Sequence, residues 1–166
     1  MRFPIAELLF TRWAAPAAKN GAALCSSWTL AKAVDFAILS GSQIINMSLS
    51  GPADTLLERL LRAAESKGII VVAAAAQDAD APGFPASMNE VTAVVASNAR
   101  NEVQVPTWAS EKTLLAAPGI EIITTAPRDS YDFLSGSSLA AAHVSGVVAL
   151  LLEHRPRLSQ REVWTL

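Results

Sequence analysis

"SGSSLAAAHVSG", residues 135–146, sets adjacent serines and a histidine in a run of glycine and alanine, just ahead of the apolar string "VVALLLEH". From Leu139 onward the sequence is apolar nearly all round, and a helix of that kind is expected to run buried through a domain rather than lie on its surface. Its small residues let neighbouring backbone come close.

Outward from this segment, short apolar and partly β-branched runs alternate with helical patterns. The runs are "IAELLFTRW" (5–13), "QIINMSL" (43–49), "IIVVAAA" (69–75), "VTAVVAS" (91–97) and "EIITTA" (121–126). Such alternation predicts an α/β fold, a mostly parallel sheet flanked by helices on both faces. In "SSWTLAKAVDFAILSG" (26–41), Trp28, Ala31, Val34, Ala37 and Ile38 recur at helical spacing, and Gly41 stands where a left-handed C-terminal cap belongs. "ADTLLERLLRAAESKG" (53–68) repeats the device with Leu56, Leu57, Leu60, Leu61 and Ala64 on one stripe and Gly68 closing. "SQREVWTL" (159–166) opens with Ser159 and Glu162 in capping-box spacing, although two turns are too short for a helix to stand alone.

The totals bound the answer. With 166 residues, 51% of them hydrophobic, the chain has apolar material for one buried domain, residues 1–166. A net charge of −2 with scattered basic residues predicts no nucleic-acid partner, and no run reaches the length of a membrane span. Cys25 is the lone cysteine and His143 and His154 the two histidines, which leaves no spacing for a metal site. No Gly-rich loop follows a strand, so no nucleotide or other cofactor is expected. The N-terminal "MRFPIAELLF" carries Glu7 in its apolar part and does not read as an export signal.

A serine in the first turn of a helix sits beside unpaired N–H groups and the positive end of the helix dipole, which favour negative charge. Ser138 is therefore a candidate nucleophile, with Gly136 allowing close approach of a substrate. Read alone, the pattern equally describes Ser137 or Ser138 as a helix cap, the commoner use of such residues. Neither histidine serves as base: on a helix starting at Ser138, His143 lies about 140° around and about 7.5 Å along, and His154 about 24 Å along. Proton transfer needs about 2.6–3.2 Å.

Four stretches in order resemble the C-terminal two-thirds of the catalytic domain of subtilisin-like serine proteases. They are "IINMSLSGP", "GIIVVAAAAQD", "GFPAS" followed by "VTAVVAS", and "LAAPGIEIITTAP" followed by "LSGSSLAAAHVSGVVALLL". The family's Gly-Thr-Ser-Met-Ala segment is matched by Gly136 to Ala140, so the resemblance implies Ser138 as the acyl-forming nucleophile of a serine endopeptidase. His143 falls on a histidine that packs inside the family's helix. Ser48, Leu49 and Ser50 match the strand that pairs with substrate, Ser50 standing where the family has glycine and narrowing the cleft. With Ala74, Ala75 and Gly136 they make up the expected substrate-binding set. Phe84–Pro85 matches an aromatic-proline step that is commonly cis. The family's Ala-Ala-Gly-Asn, whose asparagine serves the oxyanion hole, reads Ala74, Ala75, Ala76, Gln77 here; a slip of one residue would put Asp78 there instead.

The family's Asp-x-Gly and His-Gly-Thr motifs, which carry the catalytic acid and base, occur nowhere in this sequence. The resemblance thus implies a domain truncated on the N-terminal side, and at the C-terminus, with acid and base on a complementing N-terminal segment. It also implies a missing strand beside "IINMSL", hence low stability of the chain alone unless a partner or a rearranged first strand fills the gap. The expected partner is a peptide or protein substrate, and the expected compartment is extracellular or periplasmic. A second reading is a pseudoprotease, a non-catalytic peptide-binding module in which Ser138 persists as a cap.

Overall fold

A computed structural model of the chain describes residues 25–77, 79–126 and 129–165. The first expected strand, residues 5–13, lies outside them. At the centre are four parallel strands in spatial order β1-β2-β3-β4: β1 (Ile44–Met47), β2 (Ile70–Ala74), β3 (Thr92–Ser97) and β4 (Leu114–Pro118). Register runs Ile44↔Ile70 between β1 and β2, Val72↔Thr92 between β2 and β3, and Ala93↔Leu114 between β3 and β4. Every residue of β2 and β3 is buried, the reason β2 and the Ala93–Ala96 stretch of β3 are apolar runs rather than alternations.

Alternate side chains feed two cores. Val71, Ala73, Ala93 and Val95 face α1 (Ser27–Leu39) and α2 (Thr55–Ser66). Ile70, Val72, Val94 and Ala96 face α3 (Ser137–His154) and α4 (Gln160–Val163). The helix stops are as expected: Gly41 and Gly68 close α1 and α2 with φ of 73° and 80°, a left-handed conformation that glycine adopts without a Cβ clash. Asp54 caps α2, its Oδ1 accepting from the N–H groups of Leu56 and Leu57, both at 3.0 Å.

Four expectations are revised. "EIITTA" forms β5 (Ile122–Ala126), but β5 leaves the parallel sheet and pairs antiparallel with β6 (Ser130–Leu134) in a separate hairpin. Its alternating burial is that of a ribbon with one face in water. The fourth place in the sheet goes to "LLAAP", which has no β-branched residue. Trp28 is 62% exposed and packs under the Lys32 ammonium, 5.1 Å from the ring centroid, instead of joining the core stripe of α1; Leu56 is likewise exposed. Finally, α3 is not buried all round: Ala140, Ala141, Val144, Val148 and Leu152 meet the sheet, whereas Val147 and Leu150 are 55% and 65% exposed. At 18 residues and a mean hydropathy of 1.2, α3 has the length and composition of a membrane-spanning helix, yet that sheet-facing side is part of the second core.

The C-terminal element is fixed by a side chain acting as a strand. In a parallel ladder the N–H and C=O of one residue point to the same neighbour, and Val71 points toward β3, which has not yet begun at that level. Gln160 takes the vacant place: its Oε1 accepts from Val71 N–H at 2.8 Å, and its Nε2 donates to Val71 O at 3.0 Å and also to Thr92 Oγ1. Trp164 Nε1 donates to the same hydroxyl at 3.0 Å, and the capping box of Ser159 and Glu162 holds the short α4 in register.

Two outcomes follow from these bonds. Gln160→Ala strands a buried N–H and C=O, so chemical denaturation should show a loss of about 1–3 kcal/mol. The Asp54 carboxyl is held below the ordinary carboxylate range, chiefly by the Leu57 N–H and then by the Ser27 hydroxyl. A depressed carboxylate stabilises fully above its unfolded pKa of about 3.9 and loses that contribution as pH falls through its lower folded value. Asparagine caps comparably without a charge, so Asp54→Asn should melt close to wild type at neutral pH and lose less Tm than wild type in acid.

Candidate active site

Ser138 is the second residue of α3 and is exposed at the C-terminal end of the sheet. The helix is capped by Gly136, and among the described residues no side chain caps its first N–H groups, so neither Ser137 nor Ser138 acts as the cap. What positions this turn is close backbone packing. Gly136 N–H donates to Gly119 O at 2.7 Å, and a Cβ on Gly119 would lie 2.6 Å from Ala96 Cβ and 2.9 Å from Gly136 O. Only glycine at 119 lets the end of β4, the end of β3 and the start of α3 meet.

A polar ladder ties the same turn to the segment that follows β1. Ser48 Oγ donates to Ser138 O at 3.0 Å, and Asn46 Nδ2 donates to Ser48 Oγ at 3.1 Å. Ser145 Oγ lies 3.1 Å from Asn46 Oδ1 and 2.9 Å from Ala141 O. Sequence reasoning passed over Asn46 and Ser145, 99 positions apart, because nothing local pairs them. The Ser138 hydroxyl itself makes one long contact, 3.5 Å to Ser48 O, and among the described residues no base is hydrogen-bonded to it. His143 turns its Nδ1 to Leu139 O at 3.0 Å, away from Ser138 as the helix geometry requires, but it is exposed and not packed.

Ser48, Leu49 and Ser50 lie beyond the last paired residue of β1, with Ser48 and Ser50 exposed and Leu49 resting on the first core. Ala74 is packed into the second core, and Ala75, also buried, contributes to the wall of a cavity of about 710 Å³. That cavity adjoins the start of α3 and is lined by Gln77, Asn98, Glu102, Ser135, Gly136 and Ser137 among others. Among the described residues no three His, Cys, Asp or Glu side chains gather into a metal-binding group.

Gln77 reaches this cavity with its amide engaged. Its Oε1 accepts from Ala96 N–H at 2.7 Å, and its Nε2 donates to Ala96 O and Gln104 O, each at 3.2 Å. Val94 O bonds Ala75 N–H, so Ala96, two residues on, points toward the β2 side at a level where β2 has ended. Gln77 thus does at the end of β3 what Gln160 does at the start of β2. Asp78, the alternative for this position, lies outside the described residues. Phe84–Pro85 is cis, as the resemblance implies.

If Gln77 braces the sheet, Gln77→Ala leaves the buried Ala96 N–H and C=O unpaired. It should cost about 1–3 kcal/mol in equilibrium unfolding. Gln77→Asn is one methylene short of both partners and should recover little of that loss.

Comparison with known proteins sets this geometry in context. The model of the subtilase family matches residues 8–166. Subtilisin DY of Bacillus licheniformis is 35% identical over 137 residues, 78% of this chain and 50% of that protein. The major intracellular serine protease of Bacillus subtilis (strain 168) is 34% identical over 137 residues, 78% of this chain and 43% of its own length. Among solved structures, the prenylagaramide maturation protease PagA superposes with a TM-score of 0.72 at 31% identity, over 81% of this chain and 52% of that one. The chain spans half or less of the length of these two curated relatives.

Proposed function

The chain belongs to the subtilase family, and from that premise we propose that it is the nucleophile-bearing portion of a serine-type endopeptidase acting on peptide or protein substrates. The observation that carries this reading is Ser138, exposed in the first turn of α3 rather than spent on a cap. Its Oγ would attack the scissile carbonyl, the bond to the leaving amine would break as that amine is protonated, and water would release the acyl group. The positive end of α3, which has no side-chain cap, favours the charge that develops on the carbonyl oxygen.

The proton has no acceptor in the described site, so we assign the base and its orienting acid to a complementing N-terminal segment. Without them the chain hydrolyses peptides at a residual rate or not at all. The peptide itself is read as adding along Ser48 to Ser50, where main-chain groups continue the direction of β1. For the compartment, extracellular or periplasmic remains our proposal, although a relative of nearly equal identity is named as intracellular.

One observation favours a second reading, the non-catalytic peptide-binding pseudoprotease: both N–H groups of the Gln77 amide are bonded to backbone carbonyls. Loss of one oxyanion donor costs about 10²–10³ in turnover, a figure whose reference case is itself a subtilisin. A fluorophosphonate probe separates the two readings. Applied to the protein purified from its source, it should add its mass to the peptide containing Ser138 and leave Ser138→Ala unmodified. Peptide binding without labelling would favour the pseudoprotease.

A further inference from the structure

We propose that the free edge of β1 is a docking site for residues 5–13 of this same chain, which pair parallel to it and extend the sheet by one strand. The inference does not depend on whether Ser138 is a nucleophile. It does limit where a peptide can add, because a strand seated beside β1 leaves the edge open from Ser48 onward.

β1 is an outer strand of the parallel sheet, and its ladder to β2 uses every second residue. Gln43 O accepts from Ile70 N–H at 2.9 Å and Ile44 is in register with Ile70, so Gln43, Ile45 and Met47 turn their main-chain groups to β2. Ile44 and Asn46 turn theirs outward, and among the described residues these N–H and C=O groups have no partner. A bare edge of that kind is a template for another strand. On the face where Ile45 and Met47 lie, α1 packs beside them, yet its Trp28 and Leu39 are 62% and 77% exposed. Those two side chains fall within about 20° of each other around the helix and form an uncovered apolar stripe.

Connectivity chooses the occupant. α1 and α2 pack on the same face of the sheet, and α2 is the crossover from β1 to β2. Parallel crossovers share one hand, so a strand that precedes α1 and joins this sheet lies on the side of β1 away from β2. Within residues 1–24, "IAELLFTRW" (5–13) is the run with strand character. Residues 14–26 then lead to α1, a longer connection than the about 2–6 residues usual between a strand and its helix. The alternation of the run fits the place. Ala6, Leu8 and Phe10 fall on one side of a strand and Ile5, Glu7 and Leu9 on the other. The first set suits the face of Ile45 and Met47, and the second puts Glu7 on the polar face of Asn46 and Ser145. Residues on the Ile45 face turn their main-chain groups to the next strand, as Ile45 does to β2 and Val71 to β3. Ala6, Leu8 and Phe10 are therefore the ones whose N–H and C=O meet Ile44 and Asn46.

The test is solution NMR of the full, isotopically labelled chain at high and low concentration. Cross-strand Hα–HN contacts should join residues 5–13 to Ile44–Met47, a result that needs no variant. Amide exchange at Ile44 and Asn46 should be about 100-fold or more slower in wild type than in Leu8→Pro, whose ring removes a ladder N–H, while the Val94 amide keeps its rate. Absence of the cross-strand contacts in a wild type whose Val94 amide is protected overturns the proposal. So does protection of Ile44 and Asn46 that Leu8→Pro leaves unchanged. Protection that vanishes on dilution gives the edge to a second copy of the chain, which also overturns it. Fast exchange at Val94 in wild type overturns it as well, because a sheet completed within one chain protects its central strands.

Discussion

The pairing of β2 with β3 is the constraint on which the rest of this structure depends. Both strands are buried on both faces, so none of their N–H or C=O groups can turn to water. Their staggered register leaves Val71 facing an unoccupied place at one end and Ala96 at the other. Two glutamine amides, each presenting a carbonyl and an N–H like a peptide group, complete the ladder. One of them, Gln160, thereby fastens the C-terminal segment to the sheet. The other, Gln77, comes from the loop that forms the wall of the cavity beside Ser138.

Gln77 is the point at which stability and chemistry compete for one side chain. A donor to an oxyanion must be aimed at the position where charge develops and cannot also be spent on a buried carbonyl. The bonds to Ala96 and Gln104 satisfy backbone groups that would otherwise cost free energy whether or not a substrate is present. Turning the amide toward the cavity would have to recover that cost from the transition state. The start of α3 faces no such competition. Gly119 and the Ser48–Asn46–Ser145 ladder fix it and leave the Ser138 hydroxyl with one long contact, 3.5 Å to Ser48 O.

Much of the fold was legible because it is local. The apolar runs of β2 and β3, the glycines ending α1 and α2, and the Ser159–Glu162 capping box all report interactions within a few residues. The helix rise and rotation alone removed His143 from any role as base. What escaped is what depends on distant neighbours. Periodicity places Trp28, Val147 and Leu150 on helices without saying what covers them. "EIITTA" looks like a sheet strand until its partner is known to be the segment a few residues downstream. The brace made by Gln77 depends on where β2 stops relative to β3, 19 positions away, and an amide at that position resembles a catalytic donor until the register is seen.

If the chain is the nucleophile-bearing portion proposed above, the groups around Ser138 would act on different stages of one chemistry. Ser48 to Ser50 would bear on which peptide is held, a ground-state matter. Gln77 would bear on whether charge is stabilised once the carbonyl is attacked, a transition-state matter. Ser138 and the helix end beneath it would serve the second stage and would need a base to enter it. On that reading a peptide-binding groove would persist where catalysis is weakened, because binding and turnover would rest on separate residues. The segment after β1, along which a peptide would pair, has its place set by the ladder to α3. Any change that loosens that ladder reaches the segment after β1 and the start of α3 together.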